Sequence, residues 1–177
     1  MSPGSLPPSA GSVRLETMKS VYLLRHGKAA LGGGGQDHER PLVERGWRDA
    51  NAMGQRMAGD GLMPERVLVS SAHRAQETFE HWRQGAGWTG EAETDSGLYL
   101  ASRATLCERL AGLDDDLESV LLIGHNPGLE LVIRHLSESM TVMGPASLAH
   151  LVGPFARWED LVGRGACALE RAWSPEA

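Results

Sequence analysis

Three short stretches carry side chains suited to gripping a compact anion. They are Arg25-His26-Gly27, Arg74 with His73 beside it, and His125-Asn126 ahead of Pro127-Gly128. Neutral imidazole is a competent nucleophile toward phosphorus. With an ordinary pKa of about 6.5, much of a histidine is neutral at pH 7, and neighbouring arginines disfavour a second positive charge. Arg25 and Arg74 each offer a planar fork of donors that matches phosphate oxygens. Two arginines and two histidines together suit a doubly negative phosphoryl group, with His26 at the centre.

The placement of these residues in the chain strengthens that reading. Val21-Tyr22-Leu23-Leu24 is an apolar run that predicts a buried strand over 19–26, and it delivers Arg25 and His26 at its end. Gly27 allows a sharp turn or a close backbone approach to a ligand. Val67-Leu68-Val69 predicts a second strand, with Ser70-Ser71 capping a helix that carries Arg74, Glu77 and Thr78. An arginine in a first helical turn opposes the helix dipole, unless an anion lies between it and the helix N-terminus. Val120-Leu121-Leu122-Ile123 predicts a strand within 117–124 that ends at Gly124-His125. A turn accounts for Asn126, Pro127 and Gly128 but not for a histidine at the strand terminus. Ligands in open α/β sheets bind outside the carboxyl ends of strands, so three strand ends are expected to meet at one anion site.

The remaining pattern supplies the frame. Pro41 fits the first turn of a helix with Leu42, Ala50, Met53 and Met57 on its apolar stripe, ending near Asp60-Gly61. Glu91–Thr94 reads as a short third strand, residues 97–101 as a connector, and Ser102 as the cap of a helix to about residue 112. A helix over 128–136, strands near 146–152 and 165–172, and a helical turn around Trp158 complete the chain. Alternating strands and helices predict one α/β domain over 19–177, with a mostly parallel central sheet covered by helices on both faces. The last two strands are candidates for antiparallel addition. The Pro-, Gly- and Ser-rich residues 1–18 read as a disordered tail, and Met18 is a second candidate start. The glycine run Gly32–Gly35 lacks a P-loop pattern and reads as flexible linkage.

Composition excludes several classes. The net charge of −6 and the absence of a basic stripe argue against a nucleic-acid protein. No stretch reaches the length of a membrane span. Cys107 and Cys167 have no metal-type spacing and read as reduced, buried thiols of a cytoplasmic protein. No H-x-x-x-H, H-x-x-E-H or C-x-x-C pattern occurs, so no metal site is expected, and His73 stays open only because it adjoins Arg74.

Leu24-Arg25-His26-Gly27, Ser71-Ala72-His73-Arg74-Ala75-Gln76-Glu77-Thr78 and Gly124-His125-Asn126-Pro127-Gly128 resemble, in order, the signature of the histidine phosphatase superfamily. Arg25-His26-Gly27-Lys28-Ala29, Asp37-His38-Glu39-Arg40-Pro41-Leu42 and Leu68-Val69-Ser70-Ser71-Ala72 are similar to its small SixA-like phosphohistidine phosphatase branch. The resemblance implies a phosphoglycerate-mutase-like fold and His26 as a nucleophile that forms a phosphohistidine. It implies that Arg25, Arg74 and His125 hold the phosphoryl oxygens, with a further hydrogen bond from Asn126. It implies neither metal nor organic cofactor.

One departure stands out. Larger members carry an acidic general acid after the Arg74-type helix, and Asp95-Ser96-Gly97-Leu98-Tyr99 has no glutamate there. Asp37 and Asp95 are the candidate acids. The chain between Glu80 and Asp95 is too short for a large cap, so an open site is expected. An open site without a strong acid fits a phosphorylated protein carrying phosphohistidine, whose ring is a good leaving group once protonated. A small phosphorylated compound, such as a sugar phosphate or nucleotide, is the alternative substrate. A catalytically idle phosphate-binding module is the alternative from outside the enzymes.

Overall fold

The computed structural model describes residues 17–32 and 36–175. The expected tail (except Thr17 and Met18) and Gly33–Gly35 of the glycine run lie outside them. Six strands form one sheet: β1 (Lys19–Arg25), β2 (Arg66–Ser70), β3 (Glu91–Asp95), β4 (Ser119–Gly124), β5 (Leu148–Gly153) and β6 (Ala168–Trp173). Their order is β3-β2-β4-β1-β5-β6. The first four in that order are parallel neighbours, while β5 runs antiparallel to β1 and β6 antiparallel to β5.

Side chains alternate across a strand, and the two cores show that alternation. Val21, Leu23, Leu68, Val120 and Leu122 point to one face, where they meet α3 (Arg103–Ala111) and α4 (Gly128–Ser137). Tyr22, Leu24, Val67, Val69, Leu121 and Ile123 point to the other, beneath α1 (Glu44–Gly59) and α2 (His73–Ala86). The near-continuous apolar runs of β1 and β4 follow from burial on both faces. Among the described residues no helix is long and apolar enough to cross a membrane.

The helices α1 and α2 approach backbone to backbone. A Cβ at Gly54 would strike the Trp82 carbonyl, and one at Gly85 the Asn51 carbonyl. The chain leaves α1 through Asp60 and Gly61, whose φ of +72° suits glycine.

Two boundary expectations are corrected. Pro41 lies before α1 rather than in its first turn. Its carbonyl accepts the Ala30 N–H at 2.8 Å, and Leu42 bridges to Ala29 in extended form. Ser70 and Ser71 do not cap α2. Ala72 is its N-cap and makes no side-chain cap bond, which leaves both serine hydroxyls for other partners. Ser102 does cap α3, accepting the Thr105 N–H.

Candidate active site

The connection leaving β1 goes to α1 on one face, and the connection leaving the adjacent β4 goes to α4 on the other. That divergence opens a crevice at the carboxyl ends of the two strands. His26 and His125 each stand one residue past their strand, and the His26 N–H donates to the Gly124 carbonyl at 3.1 Å. Their ring centroids are 5.2 Å apart. β2 lies on the far side of β4, and α2, which follows it, brings Arg74 in from its first turn.

The His26 ring has a defined tautomer. Its Nδ1 lies 2.7 Å from the Gly27 carbonyl oxygen, which can only accept, so the proton sits on Nδ1 and the lone pair on Nε2. Arg74 Nε donates to that Nε2 at 3.2 Å. Burial lowers the His26 pKa to about 4. The Gly27 carbonyl opposes the shift, while the charges of Arg74, Arg25 and Arg40 add to it.

Ser70, the last residue of β2, orients His125. Its hydroxyl is 2.7 Å from His125 Nε2 and also receives the Ala72 N–H at 3.4 Å. If the hydroxyl donates to Nε2, the His125 proton sits on Nδ1, an atom that is buried without a partner. An unpaired buried donor costs stability and is the group an oxyanion would satisfy. Burial, then His26 and Arg74, lower the His125 pKa to about 3, opposed by Asp37.

Arg25 reaches across to the loop before β5. Its Nη1 donates to the Met143 carbonyl at 2.8 Å, while its Nε is buried and unpartnered. The Asn126 side-chain amide is engaged within the protein. Its amide nitrogen donates to Glu130 Oε1 at 2.7 Å and to the Met143 carbonyl at 2.9 Å. Its amide oxygen is buried without a partner. Asn126 therefore positions the Met143 carbonyl and, through it, Arg25. Glu130 completes the brace by accepting the Met143 N–H at 2.8 Å.

The two candidate acids part company. Asp95 caps the short helical turn Ser96–Leu98 through the Gly97 N–H and accepts from Arg109 Nε at 2.9 Å. Among the described residues it makes no hydrogen bond or ion pair with His26, Arg74 or His125. Asp37 sits in the site. Arg74 donates to its carbonyl at 2.7 Å and to its Oδ2 at 3.1 Å, Arg40 to its Oδ1 at 2.8 Å, and Tyr99 Oη to its Oδ2 at 2.6 Å. Led by the Tyr99 and Arg40 hydrogen bonds, these donors hold its carboxyl well below the usual carboxylate range. His73 is exposed and lies 3.3 Å from the Glu39 carbonyl, outside this cluster.

Sequence reasoning missed Ser70, Thr78 and Tyr99. Ser70 was hidden behind its plausibility as a cap. Thr78, one turn after Arg74, accepts the Gly27 N–H at 2.9 Å and donates to the Arg74 carbonyl at 2.6 Å, tying the two motifs together. Tyr99 packs edge-on against His125 and His38, with Arg74 over its ring. Gly27 serves a close approach as expected, but to protein rather than ligand. A Cβ there would lie 2.7 Å from the Gly46 carbonyl oxygen in α1. Between α2 and β3 lies only a short turn, so no cap is inserted at that point of the chain.

A profile of the histidine phosphatase superfamily (branch 1) matches residues 21–99. The phosphohistidine phosphatase SixA of Escherichia coli is 30% identical over 129 residues, covering 68% of this chain and 76% of that protein. The chain belongs to the histidine phosphatase superfamily. An uncharacterized protein of Mycobacterium tuberculosis is 32% identical over 156 residues, covering 82% of this chain and 96% of that one. A solved structure of the protein histidine phosphatase SixA complexed with tungstate superposes with a TM-score of 0.76 at 26% identity, covering 88% of this chain and 97% of the other. The family makes this chain a phosphatase. Histidine phosphatase and SixA-like therefore describe both its sequence and its fold.

Proposed function

We propose that the protein hydrolyses phosphoryl groups through a phosphohistidine formed on His26, and that its substrate is a phosphohistidine carried by a protein. The observation that carries this reading is the His26 ring. Its proton is committed to Gly27, its Nε2 lone pair faces Arg74 Nε, the His125 ring lies 5.2 Å away and the Arg25 charge acts on it.

The chemistry follows from that arrangement. His26 Nε2 attacks phosphorus and forms a P–N bond as the bond to the leaving group breaks. Arg25, Arg74 and His125 hold the three remaining oxygens and meet the charge that spreads over them. Water then attacks the phosphorus in line, the His26 P–N bond breaks, and phosphate leaves as the imidazole recovers its lone pair. A phosphohistidine protonated on its other ring nitrogen departs as neutral imidazole, with no proton delivered at the breaking bond. That matches a site in which the carboxyl bound to Arg74, that of Asp37, is held ionised. The SixA neighbour is complexed with tungstate, a tetrahedral oxyanion, which supports an oxyanion site on this fold.

A small phosphate ester is the second reading, favoured by the Tyr99–Asp37 pair at the mouth. Asp37 would serve as its acid once a phosphoryl dianion weakens the grip of Arg74 on the carboxylate. The test is phosphate release from a phosphohistidine peptide and from aryl and sugar phosphates, with wild type beside His26→Ala, in the presence of a chelator. Release that survives chelation, vanishes in the variant and is fastest from the peptide is expected. Faster turnover of sugar phosphates would transfer the assignment to the ester reading.

A further inference from the structure

Beside the catalytic crevice lies a second feature that hydrolysis of a phosphoryl group does not require. A cavity of about 260 Å³ is lined by Lys28, Arg45, Asp49, Gly144, Pro145 and Ser147, and ends at Ser174 and Pro175. Its lining is joined to the site through the backbone: Lys28 is two residues past His26, the Ala146 N–H donates to the His26 carbonyl, and the Ser147 carbonyl accepts the Arg25 N–H. A cavity of about 520 Å³ shares Arg45, Asp49, Ser174 and Pro175 with it and continues along α1 past Arg48, Ala52 and Arg56. The two form one groove.

The groove concentrates positive charge on an acidic chain. Among the described residues, Lys28, Arg45, Arg48 and Arg56 line it against one carboxylate, Asp49, while the whole protein carries −6. Asp49 accepts from Arg45 at 3.4 Å, and Glu44 lies 3.9 Å from Arg48. Lys28 makes no ion pair among the described residues, and Arg56 instead stacks over Trp173. From Arg45 to Arg56 the helix advances roughly 16 Å at about 1.5 Å per residue. That length accommodates about five residues of extended chain.

We propose that this groove docks an extended acidic segment of the phosphorylated protein, so that residues flanking the phosphoryl-bearing side chain contribute to its selection. The inference rests on the phosphoprotein reading above. Charge complementarity of this kind raises specificity and encounter rate and is screened by salt.

The test uses two phosphohistidine peptides of equal length, one flanked by Asp and Glu, the other by Asn and Gln, with an aryl phosphate as reference. Wild type is compared with Arg48→Glu/Arg56→Glu, two exposed positions outside the catalytic machinery. Wild type is expected to show a KM about tenfold lower for the acidic peptide at low salt. The double variant is expected to lose that preference with unchanged turnover of the aryl phosphate. Equal KM values in wild type, or a preference that persists in the variant, overturns the proposal. Anisotropy of the unphosphorylated acidic and neutral peptides is read in parallel. If neither phosphopeptide is hydrolysed, the phosphoprotein reading fails by itself, and tighter binding of the acidic than the neutral peptide still decides the groove.

Discussion

Arg74 Nε lies 3.2 Å from His26 Nε2 and donates to it, so the proposed nucleophilic lone pair is covered by the arginine that would hold the substrate. The other arm of the guanidinium is taken by Asp37. A phosphoryl group entering the crevice must separate Arg74 from one or both, exchanging internal hydrogen bonds for bonds to its own oxygens. The closed form costs little to hold and keeps two buried groups satisfied until substrate arrives.

Arg74→Lys tests the fork. Lysine keeps the charge but cannot span His26 and a phosphoryl oxygen together. A fall in kcat/KM of about 100-fold is expected, corresponding to about 2.7 kcal/mol of transition-state stabilisation. Steady-state kinetics on an aryl phosphate measure it, and a loss below threefold would show that charge alone suffices.

Asp37→Asn separates competition from acid catalysis. Removing a carboxylate that occupies Arg74 is expected to tighten inhibition by inorganic phosphate by about tenfold. Hydrolysis of a phosphohistidine peptide is expected to stay within a fewfold of wild type. A collapse of that rate would assign Asp37 the acid role for this substrate.

Ser70→Ala leaves His125 Nε2 buried without its partner. A loss of about 1–3 kcal/mol in stability is expected by urea unfolding. A lower kcat should accompany it, because the His125 tautomer is no longer fixed. Nitrogen chemical shifts of the ring report the tautomer directly, and unchanged shifts would remove Ser70 from the argument.

The pH dependence has a definite sign. Unfolded, His26 takes up its proton near the ordinary value of about 6.5, whereas in the fold burial delays uptake to about 4. Between those values the unfolded state binds more protons, so stability falls as pH drops through this window. His26 alone accounts for roughly 3 kcal/mol of that loss, complete once pH falls below its native pKa. Ring resonances of His26 and His125 should titrate well below pH 6, and midpoints near 6.5 would contradict the buried, neutral site.

Gly46→Ala probes the seat of the nucleophile loop. The added Cβ would collide with the backbone of Lys28, which no side-chain rotation can relieve. A destabilisation of about 1–3 kcal/mol is expected. The displaced Gly27 carbonyl should reduce kcat as well, and full activity at wild-type stability would show that the loop yields freely.

The strand runs, the glycine stops and the order Arg25-His26, Arg74, His125 were legible because each is local. Apolar periodicity fixes the strands, and a histidine or arginine at a strand end has no packing reason to be there. Those features determined the α/β class, the family signature and four of the residues gathered in the crevice. The pairing of Ser70 with His125 and of Asp37 with Arg74 and Tyr99 was decided only in three dimensions. Each joins residues dozens of positions apart through the sheet order β2-β4-β1, which no local pattern encodes. Asn126 and Asp95 show the same limit from the other side. Both have side chains capable of the expected roles, and the fold engages them with Glu130 and Met143, and with Arg109 and Gly97. A side chain's chemistry is written in the sequence, but which partner satisfies it depends on the backbone that tertiary packing brings alongside.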